Sequence, residues 1–413
     1  MILTNNMQVC VAVLVVRMLV EVEGVERGPL VLVGGNLAED NAEIYEKMVE
    51  LSGGKGSARI AVVTSANANA ESSGQYYKDM FKRYGAATVY WVPVQEADPG
   101  AGQSSEVVGN ILTMGGIFFG GGEPWRIVKT LFTETGGVRS DTPVLTAIKT
   151  KWEVGAMVAG TSAGIEAMQS NIIIIGGQNY NALAYGATAS STVQDNLTYD
   201  PLGGLGFLSG VVIDAHFSEK ERQARLTRLV SDTRGEIRGA MRGLGLDENT
   251  ALVCQAGVCE VIGRGGVWAV DLGQASIQEV DGWWRCDKAV TTYITPGDTI
   301  NLSTWSVQLP TWKSSLVTQG SAVATSNHLF TGTIYRDGPV AEYTRVVNSL
   351  MQSTSLGTFA NTYQGDPVLY QVQFVKNSDT AAVRGQRPGT SNTFTSYKNL
   401  QVNFVPGYLD PKQ

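Results

Sequence analysis

The sequence predicts an α/β fold, a parallel sheet with helices on both faces, followed by a β-rich C-terminal region. Apolar runs at 30–33, 60–63, 88–93, 116–119, 154–158 and 211–213 alternate with helix-like stretches near 40–52, 75–84, 125–132, 142–150 and 218–231. Short strands that are apolar throughout and spaced by helices are buried on both sides, as parallel sheets are. After about residue 303 Thr, Ser, Val, Asn and Tyr dominate, helix signals thin out, and Pro310, Gly320, Gly338, Gly365 and Gly389 punctuate the chain. Within that region Leu369–Val375 and Leu400–Phe404 alternate with period two, the pattern of half-buried antiparallel strands.

A chain of 413 residues exceeds what one core usually holds. The reading divides it into a candidate signal peptide over 1–24, an α/β domain over 25–303 and a β-rich domain over 304–413. Val9–Val16 has the length of a signal h-region, and Val22-Glu23-Gly24 offers small residues for cleavage. No cation precedes that run and Arg17 interrupts it, so a cytoplasmic chain is the alternative to a secreted one. The run is too short to span a bilayer. A net charge of −7 with pI near 5.1 argues against a nucleic-acid binder.

Gly160-Thr161-Ser162-Ala163-Gly164 lies between the apolar run Val154–Ala159 and the helix-like start Ile165-Glu166-Ala167-Met168. A serine on a glycine-flanked strand-to-helix turn is the construction of a nucleophile elbow. Small neighbours let the backbone turn sharply and leave Oγ at the carboxyl end of the sheet. A hydroxyl needs a base to take its proton, usually histidine, and the chain has only His216 and His328. His216 follows the apolar strand Val211-Val212-Ile213-Asp214, at the strand end where open α/β sheets carry their chemistry. His328 sits in polar Thr325-Ser326-Asn327-His328 and reads as a surface residue.

With these segments goes a third, Gly245-Leu246-Asp247-Glu248-Asn249-Thr250-Ala251, and Asp214-Ala215-His216-Phe217 trails Arg222 and Arg225. The ordered set resembles cyanophycinase, in the serine peptidase family that includes the aspartyl dipeptidase peptidase E. Leu30–Gly35, Ile117-Phe118-Phe119-Gly120-Gly121-Gly122-Glu123 and the closing Tyr293-Ile294-Thr295-Pro296-Gly297-Asp298 agree, so the likeness runs from about residue 28 to about 302. It implies a three-layer parallel sheet of the glutamine-amidotransferase-like (flavodoxin-type) kind. It also implies an oxyanion hole from Gly121 or Gly122 with Ala163, where two preorganised N–H donors each supply roughly 3–4 kcal/mol. Without the resemblance the glycine triplet reads as a tight βα turn.

The resemblance also implies a triad glutamate in a glycine-led loop soon after the serine. The equivalent stretch, Gly176-Gly177-Gln178-Asn179-Tyr180-Asn181, has no carboxylate and puts Asn181 at that place. An amide orients an imidazole without carrying charge, and that exchange costs a serine protease roughly 10⁴ in rate. Either Asp195, Glu166 or Asp214 moves in, or the site is slow or dead. Cyanophycin is a polyaspartate with arginine on its side chains, so substrate binding is expected from Glu123, Asp214, Lys220, Arg222 and Arg225. Arg222, Arg225 and Arg228 fall on one helical stripe. The alternative reading of that stripe is a solvated helix face.

Cys254 and Cys259 flank Gln255–Val258 and face each other across a hairpin, where they bridge in an oxidising compartment or pack as small buried hydrophobes. Asn196-Leu197-Thr198 and Asn301-Leu302-Ser303 are sequons. No Cys/His metal spacing occurs and no Lys-Ser/Thr follows the glycine triplet, so neither metal nor cofactor is expected. The expected partner is a peptide or isopeptide substrate containing aspartate, with a homodimer left open. Two functions compete: a serine exopeptidase cleaving next to aspartate through Ser162 and His216, and a catalytically weak or inactive relative using the same crevice, or the β-rich extension, for binding.

Overall fold

The structure is a computed structural model that describes residues 26–190, 195–331 and 341–407. The candidate signal peptide lies outside them. The first half contributes β1 (Leu30–Val33), α1 (Ala42–Leu51), β2 (Arg59–Val63), α2 (Ala70–Arg83), β3 (Thr88–Val92) and α3 (Ser105–Leu112). Then come β4 (Gly116–Phe119), α4 (Pro124–Leu131), α5 (Pro143–Glu153), β5 (Met157–Thr161), α6 (Ala163–Met168) and α7 (Asn179–Tyr185). Next are β6 (Val212–Asp214), α8 (Gln223–Thr233), β7 (Arg242–Leu246), β8 (Thr250–Gln255), β9 (Val258–Gly263), β10 (Val267–Asp271) and β11 (Trp283–Ile294). The C-terminal part adds α9 (Glu342–Met351), β12 (Tyr370–Val375) and β13 (Thr393–Pro406).

Strands β1, β5, β4, β2 and β3 lie side by side in that order, all parallel. On the far edge of β1 the hairpin β8–β9 continues the sheet antiparallel, and the disulfide Cys254–Cys259 joins opposite residues of that hairpin. The apolar runs are buried on both faces because successive side chains point opposite ways. Val31 and Val33 meet Ile44, Tyr45, Met48 and Phe81 from α1 and α2. Leu30 and Leu32 lie on the other face with Ile111, Ile127, Leu145 and Ile148 from α3, α4 and α5. The helix starts are set locally: Ser104 Oγ accepts from Val107 N, and Thr142 Oγ1 accepts from Leu145 N with Pro143 at the first helical position.

β6 corrects the sequence reading. It does not join the parallel sheet but pairs in parallel with β7, which continues antiparallel through β10, β11, β13 and β12. A second sheet therefore begins with the strand that leads to His216 and ends in C-terminal strands. The boundary drawn at 303/304 falls inside this arrangement, since β11 and β13 pair over much of their length. One face of the second sheet, with Ile213, Leu244 and Ala269, packs into the core of the first. The other, with Val212, Trp268, Val270, Phe374 and Phe404, is covered by α8 and α9 through Leu229, Val346 and Leu350. The helix expected from residue 218 begins only at Gln223, and 218–222 is a turn. Among the described residues no helix is long and apolar enough to cross a membrane.

A buried ion pair locks the end of β11 to the C-terminal region. Lys313 Nζ donates to Asp298 Oδ1 (2.6 Å), Thr295 Oγ1 (2.8 Å) and Ser396 Oγ (3.1 Å), and both charged side chains are fully buried. Breaking such a pair from one side strands a charge in a medium that cannot solvate it. Lys313→Ala should therefore lower the unfolding free energy by about 3–5 kcal/mol, read from urea denaturation.

Candidate active site

Ser162 is the residue between β5 and α6, at φ 53° and ψ −124°. Its amide donates to Val33 O at the end of β1 (3.0 Å), which fixes the turn against the sheet edge. Gly164 makes the turn sterically feasible, because a Cβ there would lie 2.4 Å from Phe119 O. A left-handed backbone at a non-glycine residue is strained and persists where its surroundings over-determine it. Here the strain leaves Ser162 Oγ 2.7 Å from His216 Nε2.

His216 follows β6, also at positive φ (48°), and its amide donates to Gly34 O (2.7 Å). The imidazole lies over Gly35, where a Cβ would come within 2.4 Å of Cε1 and 2.5 Å of Nε2. Nδ1 is 2.7 Å from Glu248 Oε1. The other carboxylate oxygen, Oε2, accepts from Asn36 Nδ2 (2.8 Å), and the Glu248 amide donates to Glu219 (3.2 Å). With a carboxylate on Nδ1, the proton of a neutral ring belongs there, and Nε2 is free to accept from the serine. Burial lowers the His216 pKa, aided by the charges of Lys220 and Arg222 and opposed by Glu248. Glu248 is raised by burial, yet hydrogen bonds from Asn36 and His216 bring it below the usual carboxylate range.

Glu248 replaces every candidate named from the sequence for this position. Asn181 is turned away, donating to Asp195 O (3.3 Å), and its neighbour Asn179 instead holds Lys220 O (3.0 Å) behind the histidine. Asp195 accepts from Gln178 (3.2 Å) at the surface, while Glu166 and Asp214 belong to a buried cluster. The reason is topological: the glycine-led loop lies beside α8, whereas the link from β7 to β8 passes under the imidazole. The signal in the sequence is Asp247-Glu248 at the carboxyl end of β7. His328 is exposed and stacks on Tyr363.

Gly121 lies over the serine, where an added Cβ would stand 3.3 Å from Ser162 Cβ. Gly122 turns the other way, against Ala66 O. Of the two glycines Gly121 is thus the one packed against Ser162, and Ala163, the first residue of α6, follows the serine directly. Tyr77 closes this side. Burial raises its pKa, opposed by a backbone hydrogen bond with Gly121.

Three residues expected to meet substrate are spent internally, a second correction. Asp214 is fully buried and accepts from Arg225 Nε (2.7 Å) and Nη2 (2.5 Å) and from Arg222 Nη1 (2.9 Å). Arg222 also donates to Ala215 O (2.7 Å) and Arg225 to Gly177 O (3.0 Å). A buried carboxylate needs such partners, and this one anchors α8 under the strand that leads to His216. Arg228 pairs with Asp232. Glu166 is pushed up to about 7 by burial and then by Asp214, with both arginines opposing. Lys220 and Glu123 are different: neither makes an ion pair among the described residues. Lys220 is half-buried, its pKa lowered by burial and by Arg222 and Arg225, and Glu123 is exposed beside the glycine triplet. No cluster placed to hold a metal occurs among the described residues.

The model of the family described as Peptidase family S51 matches residues 30–262, the span that carries Ser162, His216 and Glu248. The chain belongs to peptidase family S51. A curated relative named cyanophycinase, from Nostoc sp., is 30% identical over 246 residues, covering 59% of this chain and 73% of that protein. Cyanophycinases of Synechococcus elongatus (29% over 250 residues, 59% and 68%) and Geminocystis herdmanii (29% over 254 residues, 60% and 82%) are similar. A crystal structure of a peptidase from an acI-B1 actinobacterium superposes with a TM-score of 0.45 at 19% identity, covering 67% of this chain and 98% of that one.

Glu248→Gln in this S51 peptidase should lower kcat by about 10⁴, the cost of an amide at that place, while Asn181→Ala should leave it unchanged. A general base at His216 works in its neutral imidazole form. A His216 pKa below its ordinary 6.5 keeps the ring neutral at lower pH. The acid limb of kcat/KM against pH should accordingly fall with a midpoint below about 6.5.

Proposed function

We propose that this protein is a serine-type exopeptidase of the cyanophycinase kind, cleaving a peptide or isopeptide bond next to aspartate, such as the β-aspartyl-arginine bond of cyanophycin. The observation that carries the reading is the unbroken chain Ser162–His216–Glu248, with both contacts at 2.7 Å. Ser162 Oγ attacks the carbonyl carbon as its proton passes to His216 Nε2. Glu248 holds Nδ1–H and offsets the imidazolium charge. The Gly121 and Ala163 amides face the developing oxyanion. His216 then returns the proton to the leaving amine, and water enters by the same route to release the acyl group. The inactive-relative reading rested in part on a missing loop carboxylate, and Glu248 offers one from another segment.

Lys220 and Glu123 support the substrate class. They are oppositely charged groups with no ion pair among the described residues, suited to a carboxylate and a guanidinium on one substrate. An active-site fluorophosphonate should label wild-type protein at Ser162 and fail on Ser162→Ala, with β-aspartyl-arginine hydrolysed only by the former. Labelling of neither would defeat the proposal. Lys220→Ala should raise KM for aspartyl substrates by roughly tenfold, since a hydrogen bond to a charged group contributes about 1.5–3 kcal/mol. Unchanged KM would move carboxylate binding elsewhere.

A further inference from the structure

The turn 217–222 carries Lys220 and follows His216 directly, yet it has no regular structure of its own. Its internal bonds are Lys220 N to His216 O (3.2 Å), Glu221 N to Ser218 O (3.2 Å) and Arg222 N to Phe217 O (3.0 Å). It is bracketed by two non-glycine residues at φ 48°, His216 and Glu221. Such residues hold that backbone only where other contacts enforce it. For His216 the enforcing contacts are Gly34 and the triad itself.

For Glu221 they come from the far end of the chain. The side chain is buried, at 7% exposure. Its Oε1 accepts from Tyr343 N (3.0 Å) and its Oε2 from Phe330 N (3.1 Å). Both donors lie beyond residue 262, where the family match ends. Carboxylate-to-amide bonds of this kind are charge-assisted and, in a buried setting, directional. A second contact runs beside them: Phe217 stacks on Trp268 at 5.1 Å, and Trp268 meets the Tyr343 ring edge-on at 6.3 Å. The turn is thus gripped by α9 and its neighbours on both sides of Lys220.

We propose that Glu221 is a positioning residue through which the C-terminal β-rich region sets the turn that carries His216 and Lys220. Its effect on rate rests on the hydrolase reading, whereas the coupling itself does not. Glu221→Gln keeps the side-chain volume but turns an N–H donor towards one of the two amides. Because a displacement of about 1 Å in a reacting group costs up to roughly 100-fold, kcat per active site, titrated by fluorophosphonate, should fall at least about tenfold. Backbone amides of 216–222 should exchange with deuterium at least about tenfold faster, while β1–β5 keep their protection. Tyr343→Ala, which disturbs the same contact from the C-terminal side, should accelerate exchange in the same turn. A wild-type kcat per site with unchanged exchange at 216–222 would overturn the proposal. So would a loss of protection spread evenly over β1–β5, the mark of general destabilisation. If wild-type protein hydrolyses no aspartyl substrate, the hydrolase reading fails, and local exchange in the two variants alone decides the coupling.

Discussion

Two glycines, Gly34 and Gly35, hold three segments closer together than any side chain would allow. Gly34 follows β1 with no room for a Cβ, since Asp247 O would lie 2.1 Å away. It donates to Thr250 O (2.9 Å) and accepts from His216 N (2.7 Å), and Gly35 O accepts from Asn249 N (3.0 Å). The ends of β1, β6 and β7 are thereby tied to one dipeptide, with Ser162 bound through Val33 one residue earlier. Serine, histidine and glutamate come from three distant segments, yet each hangs from the same short stretch of backbone. That joint brings the three side chains within reach of their 2.7 Å contacts.

A second constraint acts beneath the histidine. Asp214, Arg222, Arg225 and Glu166 form a cluster largely removed from water. Burying a carboxylate unpaired is costly, so the two guanidiniums are committed to Asp214 and cannot also receive substrate. This separates two jobs that look alike in a sequence. Arginines at helical spacing after a histidine read equally well as ligands or as anchors, and only the position of Asp214, pointing into the interior from the end of β6, decides between them. Lys220, in the turn outside the helix, is left as the cation at the crevice without an ion partner among the described residues.

Much of this was legible in advance, for identifiable reasons. Strands buried on both faces and spaced by helices leave a strong periodic signal, so β1 to β4 stand close to their expected places, while β5 begins three residues later than expected because Val154 caps α5. The serine and histidine were legible because the elbow needs small residues at fixed offsets and only two histidines exist. What failed was whatever depended on which segments lie side by side. The sequence places the carboxylate beside His216 close after the serine, but Glu248 reaches the histidine through a crossing between sheets. Likewise β6 has the composition of a parallel-sheet strand. Only its partner β7 places it in the second sheet, and local composition does not encode a partner.

The same logic bears on what the C-terminal region is for. Val212, Trp268 and Val270 belong to the second sheet, and Val212 lies within the family-matched span. The apolar face they form is completed by Val372, Phe374, Val402 and Phe404 and capped by Val346 and Leu350. A face of that size left to solvent would carry a large free-energy cost at roughly 25 cal/mol per Å² of apolar area. The unpaired edge of β11 would also expose a row of free amides and carbonyls. The C-terminal strands remove both liabilities by pairing with β11 and roofing its apolar side. In this chain the sheet that presents His216 has no complete core without them, so fold stability and the geometry of the site draw on the same contacts.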